Sequence, residues 1–148
     1  FAEQMNARAR ELGALHTNFV NACGLDVDGH LTCAYDLYLM FTECMKHEEF
    51  SDALSKASYT VNYMNSAGEA VSKTFDTTNL YFAGLYDPPE EVTVLGGKTG
   101  TTGNAGACLM LSVKDADGAP YTALVLGGSD KPELYQQMSN LLSIIQKK

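Results

Sequence analysis

Apolar residues recur along this chain with two different periods, and the helical period gives way to the strand period near residue 58. Before that point apolar side chains are spaced every three or four positions, which is typical of helices. The spacing predicts a helix over residues 1–12, a second from an N-cap at Thr32 to about Lys46, and a short third over residues 48–56. The intervening residues 14–31 are rich in Asn, Asp and Gly and are predicted to form a loop.

The later part of the chain has the period of two that is typical of strands. A first hairpin is expected from residues 59–63 and 71–75, joined by a turn at Asn65-Ser66-Ala67-Gly68. Residues 76–90 contain Pro88-Pro89 and are expected to be irregular. Three further antiparallel strands are predicted over residues 92–101, 107–113 and 121–126, the last two joined by Asp115-Ala116-Asp117-Gly118.

A final helix is predicted after Asp130, which is a good N-cap, with Pro132 in the first turn. Lys147 and Lys148 would favour its C-terminal end. Its apolar stripe should cover the preceding strands and comprises Leu134, Met138, Leu141, Leu142 and Ile145. The fold class is therefore α/β in content and α+β in type, an antiparallel sheet flanked by helices.

Composition narrows the functional classes. The chain has 148 residues, of which 45% are hydrophobic and 19% charged, and these values are typical of one globular domain. Its formal net charge of -8 argues against nucleic-acid binding, which needs clustered Lys and Arg, and against attachment to anionic lipid. No apolar run approaches the length of a membrane span.

The four cysteines do not indicate a zinc or redox motif, because no two of them form a C-x-x-C pair. Cys44 and Cys108 lie in apolar patterns and are expected to be buried thiols. Cys23 and Cys33 bracket a glycine-containing loop. Free thiols are the expectation there, with a Cys23–Cys33 disulfide as the alternative.

The sharpest local motif is Gly96-Gly97-Lys98-Thr99-Gly100-Thr101-Thr102, at the end of a predicted strand. An ammonium group and a hydroxyl beside such a strand favour binding of a carboxylate, and strand N–H groups can pair with an extended peptide. Glycine at position 100 would allow close approach of a ligand. A phosphate-binding P-loop is excluded, because the required first glycine and the following helix are both missing.

This K-T-G sequence resembles the third motif of the penicillin-recognising serine enzymes, in particular the D-alanyl-D-alanine carboxypeptidases among the low-molecular-weight penicillin-binding proteins. The resemblance extends in consistent order over nearly the whole chain. It is carried by Met5-Asn6, by residues 17–26 (TNFVNACGLD), by residues 29–37 (GHLTCAYDL), by the K-T-G segment and by Leu126-Gly127-Gly128. It implies a partial penicillin-binding-protein or β-lactamase-like transpeptidase fold.

The resemblance also implies roles for individual residues. Lys98 and Thr99 would bind the terminal carboxylate of the substrate, and Gly100 would keep the strand narrow enough for a peptide to lie beside it. The backbone N–H of Thr101 would form half of the oxyanion hole, where one donor is worth roughly 3–4 kcal/mol. No metal or cofactor is implied.

Two motifs of the family are missing, because this chain contains neither S-x-x-K nor S-x-N. Tyr63-Met64-Asn65 has the Y-x-N form of some relatives but lies in the wrong part of the sequence for that role. We therefore expect residues 1–148 to be the C-terminal portion of one catalytic domain whose nucleophile lies upstream. On its own the chain should be inactive, and an uncovered sheet edge should favour self-association.

The function implied is that of a serine-type D-Ala-D-Ala carboxypeptidase, acting on peptidoglycan stem peptides in the extracytoplasmic envelope of a bacterium. β-Lactams would be covalent inhibitors of the full-length enzyme. The alternatives are a non-catalytic homologue that binds wall peptides through Lys98 and Thr99 and, less favoured by the loop sequences, a β-lactamase.

Overall fold

The computed structural model describes residues 1–145, which form four helices and five strands. In chain order these are α1 (Ala2–Glu11), α2 (Ala34–Cys44), α3 (Glu48–Leu54), β1 (Ser58–Met64), β2 (Ala70–Asp76), β3 (Thr93–Thr102), β4 (Gly106–Lys114), β5 (Pro120–Gly128) and α4 (Lys131–Ile145). The predicted order of elements and the antiparallel, helix-flanked architecture are confirmed. The prediction for Lys147 and Lys148 lies outside the described residues.

The N-cap predicted for α2 at Thr32 is wrong by one residue. Cys33 is its N-cap residue, in an extended conformation, and the helix ends at Cys44 rather than near Lys46. Thr32 does not cap the helix, because its hydroxyl group is hydrogen-bonded to the hydroxyl of Thr17 at 2.9 Å. A contact between residues distant in sequence therefore overrides the local capping preference.

The strands form two separate antiparallel sheets. β1 pairs only with β2, in the hairpin predicted from the sequence. β3, β4 and β5 form a three-stranded sheet in that order, so that β4 is central and β3 lies at an edge. Lys98 is opposite Met110 in the β3–β4 pair, and Thr101 is opposite Ala107.

The two faces of β4 pack against different layers. The odd-numbered face is buried against α4 in a core that includes Ala107, Leu109, Leu111 and Val113. From the helix this core takes the buried side chains Leu134, Tyr135, Met138 and Leu142, while Leu141 and Ile145 are partly buried against it. Met110 and Cys108 point to the opposite face, where they line a cavity with Leu37 and Met40 of α2. The predicted stripe on α4 is confirmed, with Tyr135 as an additional member.

The Tyr135 hydroxyl connects α4 to the irregular segment that precedes β3. It accepts a hydrogen bond from the backbone N–H of Leu80 at 2.8 Å. The Tyr86 ring stacks on the Tyr135 ring at 4.6 Å between centroids, and the Tyr81 ring lies 5.2 Å away. Burial raises the pKa of Tyr135, although the Leu80 hydrogen bond opposes that shift. Residues 77–90 are thus held to the core without regular pairing.

The predictions for the cysteines are confirmed for Cys23 and Cys33 and wrong in degree of burial for Cys44 and Cys108. Cys44 and Cys108 are half-buried rather than fully buried, and all four thiols are free, so that no Cys23–Cys33 disulfide is formed. Among residues 1–145, none of the helices combines the length and apolarity needed to cross a lipid bilayer.

The glycine pair before Lys98 is explained by packing. A Cβ atom at position 97 would lie 2.5 Å from both Leu111 Cδ2 and the Met110 carbonyl oxygen, and one at position 96 would lie 3.1 Å from Leu54 Cβ. β3 can therefore approach β4 and the end of α3 only without side chains at these two positions. Position 100 differs, because a Cβ there would meet no atom within 4 Å.

We predict that Gly97→Ala destabilises the fold by about 1–3 kcal/mol, because the added methyl group overlaps the central strand. Gly100→Ala is the matched control on the same strand and should change the free energy of unfolding by less than about 0.5 kcal/mol. Urea denaturation of the two variants measures the difference. Equal effects of the two substitutions would contradict the packing explanation.

Candidate functional site

The candidate site is built around the edge strand β3, where Lys98 is exposed to solvent. Its ammonium group donates a hydrogen bond to the carbonyl oxygen of Thr99. Among the salt bridges of the described residues, none involves Lys98, since their lysine and arginine members are Arg8, Lys46 and Lys56. The positive charge of Lys98 is thus available to an anionic ligand.

Thr99 presents its hydroxyl group beside a second threonine. The Thr78 and Thr99 Oγ1 atoms are 2.5 Å apart, and either one can be the donor. Both side chains line a cavity of about 380 Å³, together with Lys98, Thr101 and Lys131, the first residue of α4. Two lysines and three threonines therefore line one cavity in a chain whose net charge is strongly negative. Such a set of donors suits a carboxylate.

A second cavity, of about 450 Å³, lies on the other side of Lys98. Its wall is formed by the β1–β2 hairpin, which contributes Tyr59, Phe75 and Asp76, and by the end of α3. Tyr59 and Phe75 are opposite each other in the hairpin and are both more than half exposed. These aromatic residues therefore line an open groove, while Tyr81 and Tyr86 pack against the core.

Gly100 and Thr101 continue the edge of β3 away from Lys98. Both are exposed, and the space above Gly100 is open. This arrangement leaves room for an extended ligand along the strand, which is the geometry that the K-T-G motif predicts. Tyr63-Met64-Asn65, by contrast, lies at the tip of the hairpin, where the Asn65 side chain donates to Glu69.

The end of β3 is held by Asp26, a residue of the predicted loop 14–31 that the sequence does not assign to the site. Its carboxylate accepts hydrogen bonds from the Thr102 hydroxyl at 2.6 Å and from the Asn104 backbone N–H at 3.0 Å. These two bonds, Thr102 first, lower the pKa of Asp26. The loop between α1 and α2 thereby positions the strand that carries Lys98.

The structure brings together all four residues singled out from the sequence and adds three that were missed. Lys98, Thr99, Gly100 and Thr101 are consecutive on one strand, so their proximity follows directly from the motif. Thr78, Lys131 and Asp26 reach the same strand from other elements. Of these three residues, only Asp26 lies in a segment that resembles the family, because it ends residues 17–26 (TNFVNACGLD).

The chain is similar to known proteins over most of its length. The sequence profile of the D-alanyl-D-alanine carboxypeptidase family matches residues 1–130. A curated relative, D-alanyl-D-alanine carboxypeptidase DacF of Bacillus subtilis (strain 168), is 32% identical over 142 residues. That match covers 96% of this chain but 34% of the relative, so the chain spans about a third of DacF.

Solved structures show the same fold at lower identity. The Streptomyces K15 DD-transpeptidase superposes with a TM-score of 0.82 at 21% identity, and the match covers 97% of this chain and 52% of that chain. The D-alanyl-D-alanine carboxypeptidase from Mycobacterium tuberculosis H37Rv superposes with a TM-score of 0.75 at 22% identity, covering 96% and 51% respectively. The chain therefore spans about half of each structure.

We predict that Asp26→Asn lowers the thermal stability at neutral pH, because the neutral amide is a weaker acceptor for Thr102 and Asn104. The folded-state pKa of Asp26 is lowered, so its contribution is present above the ordinary aspartate pKa of about 3.9 and is lost as pH falls through the folded value. The stability difference from the wild type should therefore shrink on acidification. The effect should be small, since the carboxylate is exposed to solvent.

Thermal unfolding of the wild type and Asp26→Asn across this pH range measures the difference. Asp28→Asn is the control, since it removes the same charge two residues away. An equal loss of stability in the control would show that net charge, rather than the Thr102 contact, is responsible.

Proposed function

Because this chain belongs to the D-alanyl-D-alanine carboxypeptidase family, we propose that it supplies the substrate-binding strand of a serine-type D-Ala-D-Ala carboxypeptidase. The substrates are peptidoglycan stem peptides that end in D-Ala-D-Ala. The observation that carries this proposal is the position of Lys98 and Thr99 on the open edge of β3, beside a cavity that Lys131 and Thr78 also line.

The terminal carboxylate of the peptide binds in that cavity. Lys98 and Lys131 provide its countercharges, and the Thr99 hydroxyl provides a directional hydrogen bond. The Thr78 hydroxyl is hydrogen-bonded to the Thr99 hydroxyl and holds it in place. The peptide backbone then lies along β3 above Gly100, where the structure leaves space.

The reaction is acyl transfer through a serine that is not in this chain. The serine oxygen attacks the carbonyl carbon of the penultimate D-Ala, the C–N bond breaks, and the terminal D-Ala leaves as a free amine after receiving a proton. Water then hydrolyses the acyl-enzyme ester. The backbone N–H of Thr101 stabilises the oxyanion, together with the N–H of the nucleophile itself.

The proposed partners and cellular location follow from the proposed substrate. A β-lactam carries a carboxylate beside a reactive amide, so it would occupy the Lys98 cavity and acylate the same serine. Peptidoglycan lies outside the bacterial membrane, and we therefore place the full-length enzyme in the cell envelope. Self-association through the free edges of the three-stranded sheet is a further proposal.

A non-catalytic wall-peptide receptor is the second candidate, because this chain contains no S-x-x-K or S-x-N sequence. It differs from the first candidate in one respect, since binding through Lys98 would persist without any acylation. A β-lactamase differs from both, since it would turn over penicillin rapidly.

We predict that fluorescent penicillin labels the full-length protein covalently and does not label residues 1–148 alone, because the nucleophile lies outside this chain. Denaturing gel electrophoresis after labelling measures the adduct. Labelling of the isolated chain would contradict the assignment of the nucleophile. Absence of labelling in the full-length protein, with retained affinity for a D-Ala-D-Ala peptide, would favour the receptor, and rapid penicillin hydrolysis would favour the β-lactamase.

We predict that Lys98→Ala in the full-length protein lowers kcat/KM for a D-Ala-D-Ala peptide by about 10–100-fold, because a charge-assisted hydrogen bond is worth about 1.5–3 kcal/mol. Lys46→Ala is the control, since Lys46 is paired with Glu43 and lines none of the cavities around Lys98. Peptide hydrolysis followed by D-Ala release measures both variants. Equal kcat/KM values for Lys98→Ala and Lys46→Ala would contradict the proposed role of Lys98 in substrate binding.

A further inference from the structure

Three side chains of different chemistry converge at the start of α2, outside the cavities around Lys98. Cys33 is the N-cap residue and Asp36 lies three positions later, so the helix places both on one face. His16 reaches them from the segment that follows α1. The ligand atoms of His16, Cys33 and Asp36 all lie within 4.8 Å of one another.

Asp36 is the unusual member of this cluster, because its side chain is fully buried. Its Oδ2 atom accepts hydrogen bonds from the His16 backbone N–H at 2.7 Å and from the Thr17 hydroxyl at 2.8 Å. Its Oδ1 atom has no hydrogen-bond partner among the described residues. A buried carboxylate oxygen without a hydrogen bond is costly, so a cation bound to this atom would stabilise it.

The His16 imidazole also lies close to that oxygen. Its Nδ1 atom is 3.6 Å from Asp36 Oδ1, which is longer than a hydrogen bond. Around a tetrahedral zinc ion, neighbouring ligand atoms are about 3.3–3.8 Å apart, given metal–ligand bonds of about 2.0–2.3 Å. The distance between the imidazole nitrogen and the carboxylate oxygen thus matches two zinc ligands.

We propose that His16, Cys33 and Asp36 form a zinc site, with the imidazole nitrogen, the thiolate sulfur and Asp36 Oδ1 as ligands. A soft thiolate combined with an imidazole selects Zn²⁺ over Mg²⁺ or Ca²⁺, which prefer oxygen ligands. The His16 side chain is 78% exposed, so water completes the tetrahedron. Binding displaces the thiol proton of Cys33 to solvent.

The position of the site indicates a structural role. Zinc would join the segment at His16 to the first turn of α2, at the base of the loop that carries Asp26. That loop already closes through the Thr17–Thr32 hydroxyl contact and the backbone bridge between Asn18 and Leu31. A metal at its base would hold the loop whose Asp26 positions the end of β3.

Titration with Co²⁺ tests the proposal, because a cobalt–thiolate bond gives a charge-transfer absorption and tetrahedral cobalt gives intense visible bands. We expect one Co²⁺ per chain with both signals, and displacement of the cobalt by Zn²⁺. Zn²⁺ should also raise the midpoint of thermal unfolding, since it binds the folded state. A wild-type chain that shows no thiolate charge-transfer band would overturn the site.

Two variants and two matched controls locate the metal. Cys33→Ser keeps a good N-cap, and His16→Ala removes an exposed ring, so both should fold as judged by circular dichroism. Each should lose at least about tenfold in affinity, since even outer-shell changes cost that much, and Cys33→Ser should lose the charge-transfer band. Cys23→Ser and His47→Ala should bind like the wild type. Loss of the band in Cys23→Ser instead would overturn the assignment.

Discussion

The central position of β4 is the constraint on which the rest of this structure depends. Its odd-numbered side chains are sealed against α4, so its even-numbered side chains must face α2. A slip of one residue would turn Leu109, Leu111 and Val113 away from α4, and the register is therefore strongly specified. Because β3 is paired to β4 residue by residue, this register also decides that Lys98 lies opposite Met110 and that Thr99 faces the cavity beside α4.

Strand β3, which carries the K-T-G residues, is therefore positioned by three different interactions. Close packing on Leu111 and Met110 requires glycine at position 97. Hydrogen bonds from Thr102 and Asn104 to Asp26 hold its far end. The Tyr135 hydroxyl fixes Leu80 in the segment that carries Thr78. Among residues 1–145 the outer edge of β3 has no strand beside it, and the K-T-G residues lie on this edge strand.

Most of the fold could be predicted from the sequence, because the relevant signals are local. Alternation predicts β4, a capping aspartate at position 130 predicts the start of α4, and the Asp130 side chain does accept a hydrogen bond from the Glu133 N–H. The failures arise where a distant residue decides the outcome. Thr32 has the right chemistry for a cap but bonds to Thr17, and Asp26, Thr78 and Lys131 reach β3 only through the tertiary fold. The K-T-G residues were found because they are contiguous.

The β1–β2 hairpin is less buried than the three-stranded sheet. Its two strands pair with each other, and nearly all of their side chains are exposed, whereas β4 has no exposed side chain and is paired at both edges. Segments with few buried contacts open at a lower free energy than the core. Amide protons of the hairpin should thus exchange with solvent by local opening, while those of β4 should exchange only through global unfolding. The groove beside Lys98 then has one rigid side and one that can adjust its width to the peptide that enters.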